Sequence, residues 1–362
     1  MLKNLFVKFL VTTLFLCGSV SLLSQGVTTP RVPSPAATVT QTIGISTVLV
    51  NYSRPSVKGR AVWGSLVPYG YNVQAFGAGN SAPWRAGANE NTVINFSHNA
   101  LVEGQPIPAG SYGLFFVINS DNTGEVILSK EYRSWGSFWY NPKNDILHAK
   151  IQLRDIPMVE MLTYDFINLS KSSAELVLNW EKKQFPVKLE FAVDDIVMKN
   201  AEQELKGSIG FSSIGFSSAA NYALANKVNY AEALTWIENA LANTRNFANL
   251  NIKSGLLKGL DREQEALKVE KEAYAVATEN ELNNYGYQLL AGGDQEKAIA
   301  VFVINSQKNP TSPNVWDSLG EGYALKGDKK NAIASFKKSL TMNPPPATKA
   351  NSEKYLKQLG AM

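Results

Sequence analysis

The chain of 362 residues is long enough for two ordinary domains, or for one domain followed by a repeat array. Apolar residues make up 44% of it and charged residues 18%, which excludes a disordered chain. A net charge of +4 does not indicate a nucleic-acid partner, one cysteine excludes a disulfide framework, and two histidines give little basis for a metal centre. We therefore expect a folded protein without a metal, a cofactor or a nucleic-acid partner.

Residues 1–24 have the order of positive charge, apolar core and small residues that is typical of a secretory signal peptide. Lys3 and Lys8 precede the core over residues 9–16, which is too short for a comfortable membrane span. No later stretch is apolar enough to cross a bilayer. The pattern predicts an exported protein that is periplasmic, associated with the outer membrane or extracellular.

Cleavage of this signal is expected between Ser24 and Gln25, because serine is small enough for the position before the cut. The alternative is lipoprotein processing at Cys17, which would tether the chain to a membrane. That signal normally needs Gly, Ala or Ser before the cysteine, and Leu16 stands there.

A β-rich region is predicted after a proline-rich linker at residues 25–36. From 37 to 191, short β-branched and aromatic runs alternate with Gly, Pro, Asn and Asp, which is typical of an antiparallel β-sandwich or barrel. Two segments look like hairpin turns, SDNTG at 120–124 and EKKQ at 181–184.

The pattern changes near residue 195 from the period of a strand to the period of a helix, so the second half is predicted to be all α-helical. The predicted parts are a connecting helix and linker at 192–216, helical repeats at 217–346 and a capping helix at 347–362.

Two segments, 279–312 and 313–346, share one pattern of residues. In the second, the pattern consists of Trp316, Leu319, Gly320, Tyr323, Ala332, Phe336 and Pro344. In the first, the corresponding residues are Leu282, Gly286, Leu289, Ala298, Phe302 and Pro310. This pattern resembles the tetratricopeptide repeat, and the helices before 279 resemble divergent copies. The resemblance implies stacked helix pairs with a groove.

The groove of such a stack would take an extended or helical peptide from a protein of the cell envelope. The candidate partner-binding residues are those expected on the inner helix of each pair, namely Asn283, Tyr287, Asn314, Asp317 and Ser318.

Several motifs of the β-rich region stand out. They are SRPSVKGR at 53–60, LVPYG at 66–70, WRAGANE at 84–90, PIPAGSY at 106–112 and WG at 135–136. Together they resemble a bacterial family, the domain of unknown function 2911, and the pairing with helical repeats is similar to that in proteins of Bacteroidetes-type bacteria. The family implies an exported β-rich module and supplies neither a reaction nor site residues. Residues 72–82 look like an insertion relative to it.

A candidate ligand site follows from Trp84, Arg85, Asn89 and Glu90. A guanidinium fork beside a carboxylate, an amide and an indole can hold an anionic or sugar ligand. Alternatively, Arg85 and Glu90 form an ion pair that locks a loop. A third and remote hypothesis is hydrolysis by these polar residues, but no catalytic motif supports it.

Trp135 and Trp139 lie in an aromatic segment between two strands. Exposed aromatic rings on a sandwich loop can stack against sugars, whereas buried ones only pack. We therefore expect first an exported, non-enzymatic interaction scaffold that binds through the repeats, and alternatively a glycan-binding protein that uses the β-rich region.

Overall fold

The computed structural model describes residues 33–361, so the predicted signal peptide, Cys17 and most of the predicted linker lie outside the described residues. The chain divides into two compact units. The β unit holds the described residues up to Gln41 together with Thr47–Asn168 and Ala174–Leu189. The helical unit holds Thr42–Ser46, Leu169–Ser173 and the described chain from Glu190 onward.

Twelve strands are formed within residues 33–361. They are β1 (Ala36–Ile43), β2 (Ser46–Ser53), β3 (Asn72–Val73), β4 (Ser81–Ala82), β5 (Val93–Phe96), β6 (Ala100–Val102), β7 (Gln105–Ile107), β8 (Gly110–Ile118), β9 (Thr123–Ser129), β10 (Asp145–Gln152), β11 (Arg154–Ile167) and β12 (Ser173–Glu190). One sheet has the order β1-β2-β5-β8-β9-β10, a second has the order β11-β12-β6-β7, and β3 pairs with β4. The predicted antiparallel β architecture is confirmed, as two open sheets and not as a closed barrel.

The two sheets pack face to face through aromatic side chains. Phe116 on β8 and Phe185 on β12 are fully buried, and their ring centroids are 5.1 Å apart. Burying an aromatic side chain of this size contributes about 1.5–3 kcal/mol. The opposite face of β8 is also buried, because Phe115 packs in a cluster that includes Ala82 and Tyr140. Loops therefore cover the outer face of this sheet, and they build the pocket described below.

One predicted turn is wrong. Residues 181–184 do not form a hairpin, because β12 continues through them as a single strand of 18 residues. Glu181 has a left-handed φ of 52°, and the register between β11 and β12 shifts beside its partner Val159. The polar run therefore marks a bulge, which bends a strand without ending it. The other predicted turn, at 120–124, does connect β8 to β9.

The helical unit has ten α-helices within the described chain. They are α1 (Val193–Glu204), α2 (Ser213–Asn226), α3 (Tyr230–Asn243), α4 (Phe247–Gly259), α5 (Glu263–Val276), α6 (Glu279–Ala291), α7 (Gln295–Lys308), α8 (Pro313–Lys326), α9 (Lys329–Leu340) and α10 (Pro346–Gln358). They pack as the pairs α2/α3, α4/α5, α6/α7 and α8/α9. The last two pairs coincide with the two repeat segments recognised in the sequence.

Small residues permit close contact within these pairs. A Cβ atom added to Gly320 on α8 would lie 2.7 Å from the ring of Phe336 on α9, and one on Gly286 would overlap the ring of Phe302. Ala332 is fully buried on α9. The glycine and alanine positions of the repeat therefore lie in the contacts between helices, as the sequence predicts.

Candidate functional site

Trp84 is fixed at the centre of the β unit by its main chain and its ring. Its N–H donates to the carbonyl of Phe116 at 2.9 Å and its carbonyl accepts from the Phe116 N–H at 2.9 Å. The indole stacks on Trp180, with 5.7 Å between centroids and 19° between planes, and meets Trp63 edge to face at 5.8 Å. The first residue of the WRAGANE motif is therefore part of the aromatic core.

The loop after Trp84 is held by hydrogen bonds from the surrounding strands. Tyr164 on β11 and Thr92 both donate to the carbonyl of Ala86, at 3.0 and 3.1 Å. Asn89 has a left-handed φ of 60°, a conformation that asparagine tolerates well, and its side chain donates to the carbonyl of Ser34 at 3.2 Å. The motif thus builds a fixed loop that presents its side chains in one arrangement.

Arg85 projects from this loop and is partly buried. It donates to the carbonyl of Asn89 at 2.6 Å, its guanidinium lies 5.0 Å from the ring centroid of Phe138, and a Cβ on Gly136 would overlap it. Burial lowers the pKa of Arg85, because a desolvated guanidinium loses hydration of its charge. The alternative ion pair between Arg85 and Glu90 stays a prediction.

The insertion-like stretch 72–82 packs against the aromatic segment near Trp135. Ala78 donates its N–H to the carbonyl of Phe138 at 2.8 Å, and Asn80 donates its side chain to the carbonyl of Tyr140 at 3.0 Å. A Cβ on Gly77 would overlap the Phe138 backbone, so glycine permits this approach. The two loops together form one wall around Arg85.

A pocket of about 550 Å³ lies between these loops and the WRAGANE motif. This volume falls in the range of about 300–1,000 Å³ that small-molecule sites occupy. Its polar side chains include Arg60, Asn72, Gln74, Arg85 and Asn89, and both Trp84 and Trp180 reach it. We call it the arginine pocket. Among the described residues that line it there is no aspartate or glutamate, so the pocket favours a ligand with negative charge and oxygen acceptors.

The structure brings together three of the six residues predicted for a ligand site, namely Trp84, Arg85 and Asn89. Glu90 follows them in the loop but does not line the pocket. Trp135 and Trp139 are about half exposed at 49% and 50%, and they also lie outside the lining. The ring of Trp139 is 6.0 Å from that of Phe76, which is itself 67% exposed.

A second polar cluster, absent from the predicted site, lies on β9 and β10. His148 places Nδ1 2.9 Å from a Glu125 oxygen and Nε2 3.0 Å from an Asp145 oxygen. Tyr71 donates to Glu125 at 2.8 Å and Tyr140 donates to Asp145 at 2.5 Å. Burial, followed by these hydrogen bonds to carboxylates, raises the pKa of both tyrosines. Because these hydrogen bonds link β9 to β10, we interpret the cluster as a clamp between strands. Within residues 33–361 no group of His, Cys, Asp and Glu is suited to hold a metal.

The first helices of successive pairs lie side by side in the helical unit. Helix α2 packs against α4, α6 packs against α8, and α8 packs against α10. In a stack of tetratricopeptide-like pairs this row forms the concave side, and we call it the inner face. All five residues predicted to bind a partner lie on α6 or α8.

These five residues differ in their surroundings. Asp317 is buried beneath α10, where it accepts from Ser352 at 2.5 Å and from Asn351 at 2.8 Å. Ser318 is also buried and accepts from the Tyr287 hydroxyl at 3.1 Å.

The other two, Asn283 and Asn314, are half buried. The Oδ1 atom of Asn283 has no hydrogen-bond partner among the described residues. The capping helix thus covers the inner face at α8 and leaves α6 as the better candidate for contact with a partner.

The helical unit also contains a buried carboxylate with two cationic partners. Glu270 on α5 lies 3.1 Å from Lys258 on α4 and 2.9 Å from Lys297 on α7, and Tyr274 donates to it at 2.7 Å. Burial alone would raise the pKa of Glu270, but these hydrogen bonds outweigh burial and lower it. The cluster joins two successive helix pairs.

No helix of the described chain is both long and apolar enough to cross a membrane.

The β unit is similar to one known family. Residues 34–189 match the family described as protein of unknown function (DUF2911). The resemblance seen in the motifs of this region is therefore confirmed. The family description gives no function. No curated protein matches the chain.

Solved structures similar to the chain include three tetratricopeptide repeat proteins. YrrB, described as a TPR protein with an unusual peptide-binding site, is 18% identical with a TM-score of 0.26, over 44% of this chain and 84% of its own. TTC0263, a thermophilic TPR protein from Thermus thermophilus, is 20% identical with a TM-score of 0.26, over 45% and 91%. The C-terminal part of a TPR repeat-containing protein from Cytophaga hutchinsonii is 18% identical with a TM-score of 0.28, over 47% and 78%. Because these TM-scores are low, the description of the helical unit as tetratricopeptide-like pairs rests on its own helix pairs and not on these neighbours.

Proposed function

We propose that the chain is an exported, non-enzymatic interaction protein of the bacterial cell envelope, and that the inner face of its helical unit holds a peptide or a segment of an envelope protein. The observation that carries this proposal is the row of first helices along one face, with amide side chains on it. An amide both donates and accepts hydrogen bonds, so it can match the main chain of a bound peptide.

Helix α6 is the centre of the proposed contact. Asn284 and Gln288 on this helix are exposed amides, and the Oδ1 atom of Asn283 beside them is buried without a partner among residues 33–361. Asn314 extends the row onto α8, where α10 then covers Asp317 and Ser318. A bound segment would therefore run along α4 and α6 and end near the start of α8.

The test is selection of binders from a displayed library of random peptides on the full chain, followed by affinity measurements on variants. Asn284→Ala and Asn314→Ala should each weaken selected peptides about tenfold, a loss typical of a side chain that contributes to binding. Gln307→Ala is the matched control, because this exposed amide lies on α7, the second helix of its pair, and the inner face is formed by first helices. Failure to select any binder, or equal losses in all three variants, would contradict the proposal.

Export is tested separately by the mature N-terminus of the chain expressed in a bacterial host. The signal pattern supports a first residue Gln25, whereas a lipid-modified first residue Cys17 would indicate a membrane-anchored lipoprotein. An unprocessed chain retained in the cytoplasm would contradict the proposed location.

A further inference from the structure

We infer that the arginine pocket of the β unit binds an acidic saccharide, with the sugar carboxylate paired to Arg85. This inference is independent of the helical unit and of the peptide proposed to bind there. The proposed ligand is a sugar ring that carries a carboxylate.

Charge is the first argument. Arg85 and Arg60 both line the pocket, and no described carboxylate lines it. Leaving a partly buried guanidinium without a counter-charge is costly, unless an anion enters from outside. The guanidinium is planar and fixed between Phe138 and Gly136, and it still has N–H groups beyond the one that bonds to Asn89. A planar carboxylate matches such a fork with two parallel hydrogen bonds.

Polar side chains suited to hydroxyl groups are the second argument. Trp180 lines the pocket, and its buried indole N–H has no acceptor among residues 33–361. Asn72, Gln74 and Asn89 add side-chain amides that can bind hydroxyl groups in either direction.

Exposed aromatic rings near the pocket are the third argument. Phe76 follows Gln74 closely in the same loop, and its ring meets the exposed ring of Trp139. Exposed aromatic pairs of this kind offer apolar surface on which sugar rings can stack. A longer acidic glycan would therefore place one acidic ring in the pocket and the next residues against Phe76 and Trp139.

The inference is tested by calorimetric titration of the full chain with D-galacturonate, D-galactose and acetate. Galactose differs from galacturonate only at the carboxylate carbon, and acetate supplies the charge without the ring. We expect galacturonate to bind at least about tenfold more tightly than either of the others, and more weakly as salt is added. Equal binding of galactose would overturn the role of Arg85, equal binding of acetate would overturn the saccharide, and no binding of galacturonate would overturn both.

Variants locate the site. Arg85→Gln should reduce galacturonate affinity at least about tenfold, and Arg133→Gln, at an exposed arginine outside the pocket, should not change it. Because Arg85 packs against Phe138, Gln74→Ala serves as a second variant that leaves this packing intact, and it should also weaken binding. Unchanged affinity in Gln74→Ala and in a folded Arg85→Gln protein would place the ligand elsewhere and overturn the inference.

Discussion

The β unit and the helical unit differ in how far apart in sequence their contacting residues lie. In the β unit, Arg54 donates to Thr163, which is 109 residues away. In the helical unit, Tyr287 donates to Ser318, which is 31 residues away and close to one repeat length. The helical unit is thus held by contacts that recur at a short spacing, whereas the β unit depends on contacts between distant segments.

This difference determines how damage to the core should spread. In a repeat array each pair contacts mainly its neighbours, so stability is approximately a sum of local contributions. In the β unit, one aromatic core joins both sheets, and each side chain within it supports many strands. Core substitutions in the two units test whether this contrast is real.

The largest effect is expected for Phe185→Ala in the β unit. Phe185 is fully buried and its ring lies 5.4 Å from Trp63 and 5.1 Å from Phe116. Removing it should lower the free energy of unfolding of this unit by about 3–5 kcal/mol. Hydrogen exchange should show loss of protection in both sheets together. Phe76→Ala, at an exposed ring, is the control with little effect, and loss confined to β12 would contradict the prediction.

A smaller and more local effect is expected for Gly320→Val in the helical unit. The added side chain would collide with Phe336, and overpacking of this kind costs about 1–3 kcal/mol. Loss of hydrogen-exchange protection should be concentrated in α8, α9 and their neighbours and should spare α2 and α3. Ala334→Val adds a side chain of similar size at an exposed position of α9 and should change little. Uniform loss along the array would show that the helices do not behave as local pairs.

The same contrast explains what could be predicted from sequence. The repeat positions Gly320, Ala332 and Phe336 are recognisable because their spacing along the chain is fixed by helix geometry. The β architecture is recognisable from alternation, but its strand ends are less so. The polar run at 181–184 has the composition of a turn, and only its pairing with β11 shows that the strand continues.

The candidate site divides in the same way. Trp84, Arg85 and Asn89 are close in sequence, so one motif indicates all three. The bonds from His148 to Glu125 and Asp145 depend on the register of β9 against β10, which shifts between Asp145 and Leu147. No local pattern shows such a shift. The wall around Arg85 likewise depends on contact between the 72–82 loop and Phe138, which the order of residues in the chain does not reveal.

The smallest effect concerns two carboxylates of the helical unit whose pKa values shift in opposite directions. Burial, with Glu321 nearby, raises the pKa of Asp317 above its ordinary value of 3.8, while Lys297, Tyr274 and Lys258 lower that of Glu270 below 4.5. For Asp317 the folded state keeps the proton longer than the unfolded state, so its contribution to stability falls as pH rises from 3.8 through the raised pKa. For Glu270 the contribution is present above 4.5 and is lost as pH falls through the lowered pKa.

As pH rises above 3.8, the free energy of unfolding of Asp317→Asn should therefore fall less than that of the wild type. As pH rises toward 4.5, the free energy of unfolding of Glu270→Gln should rise less than that of the wild type. Asparagine can still accept from Ser352 but loses the bond from Asn351. Because it also removes a desolvated charge, Asp317→Asn should leave the helical unit about as stable at neutral pH as the wild type. Glu270→Gln should destabilise it, because Lys258 and Lys297 lose their counter-charge. Denaturant unfolding of both variants between acidic and neutral pH measures these slopes. Parallel pH profiles for the two variants would show that burial does not raise the pKa of Asp317. They would contradict the opposite shifts of the Asp317 and Glu270 pKa values.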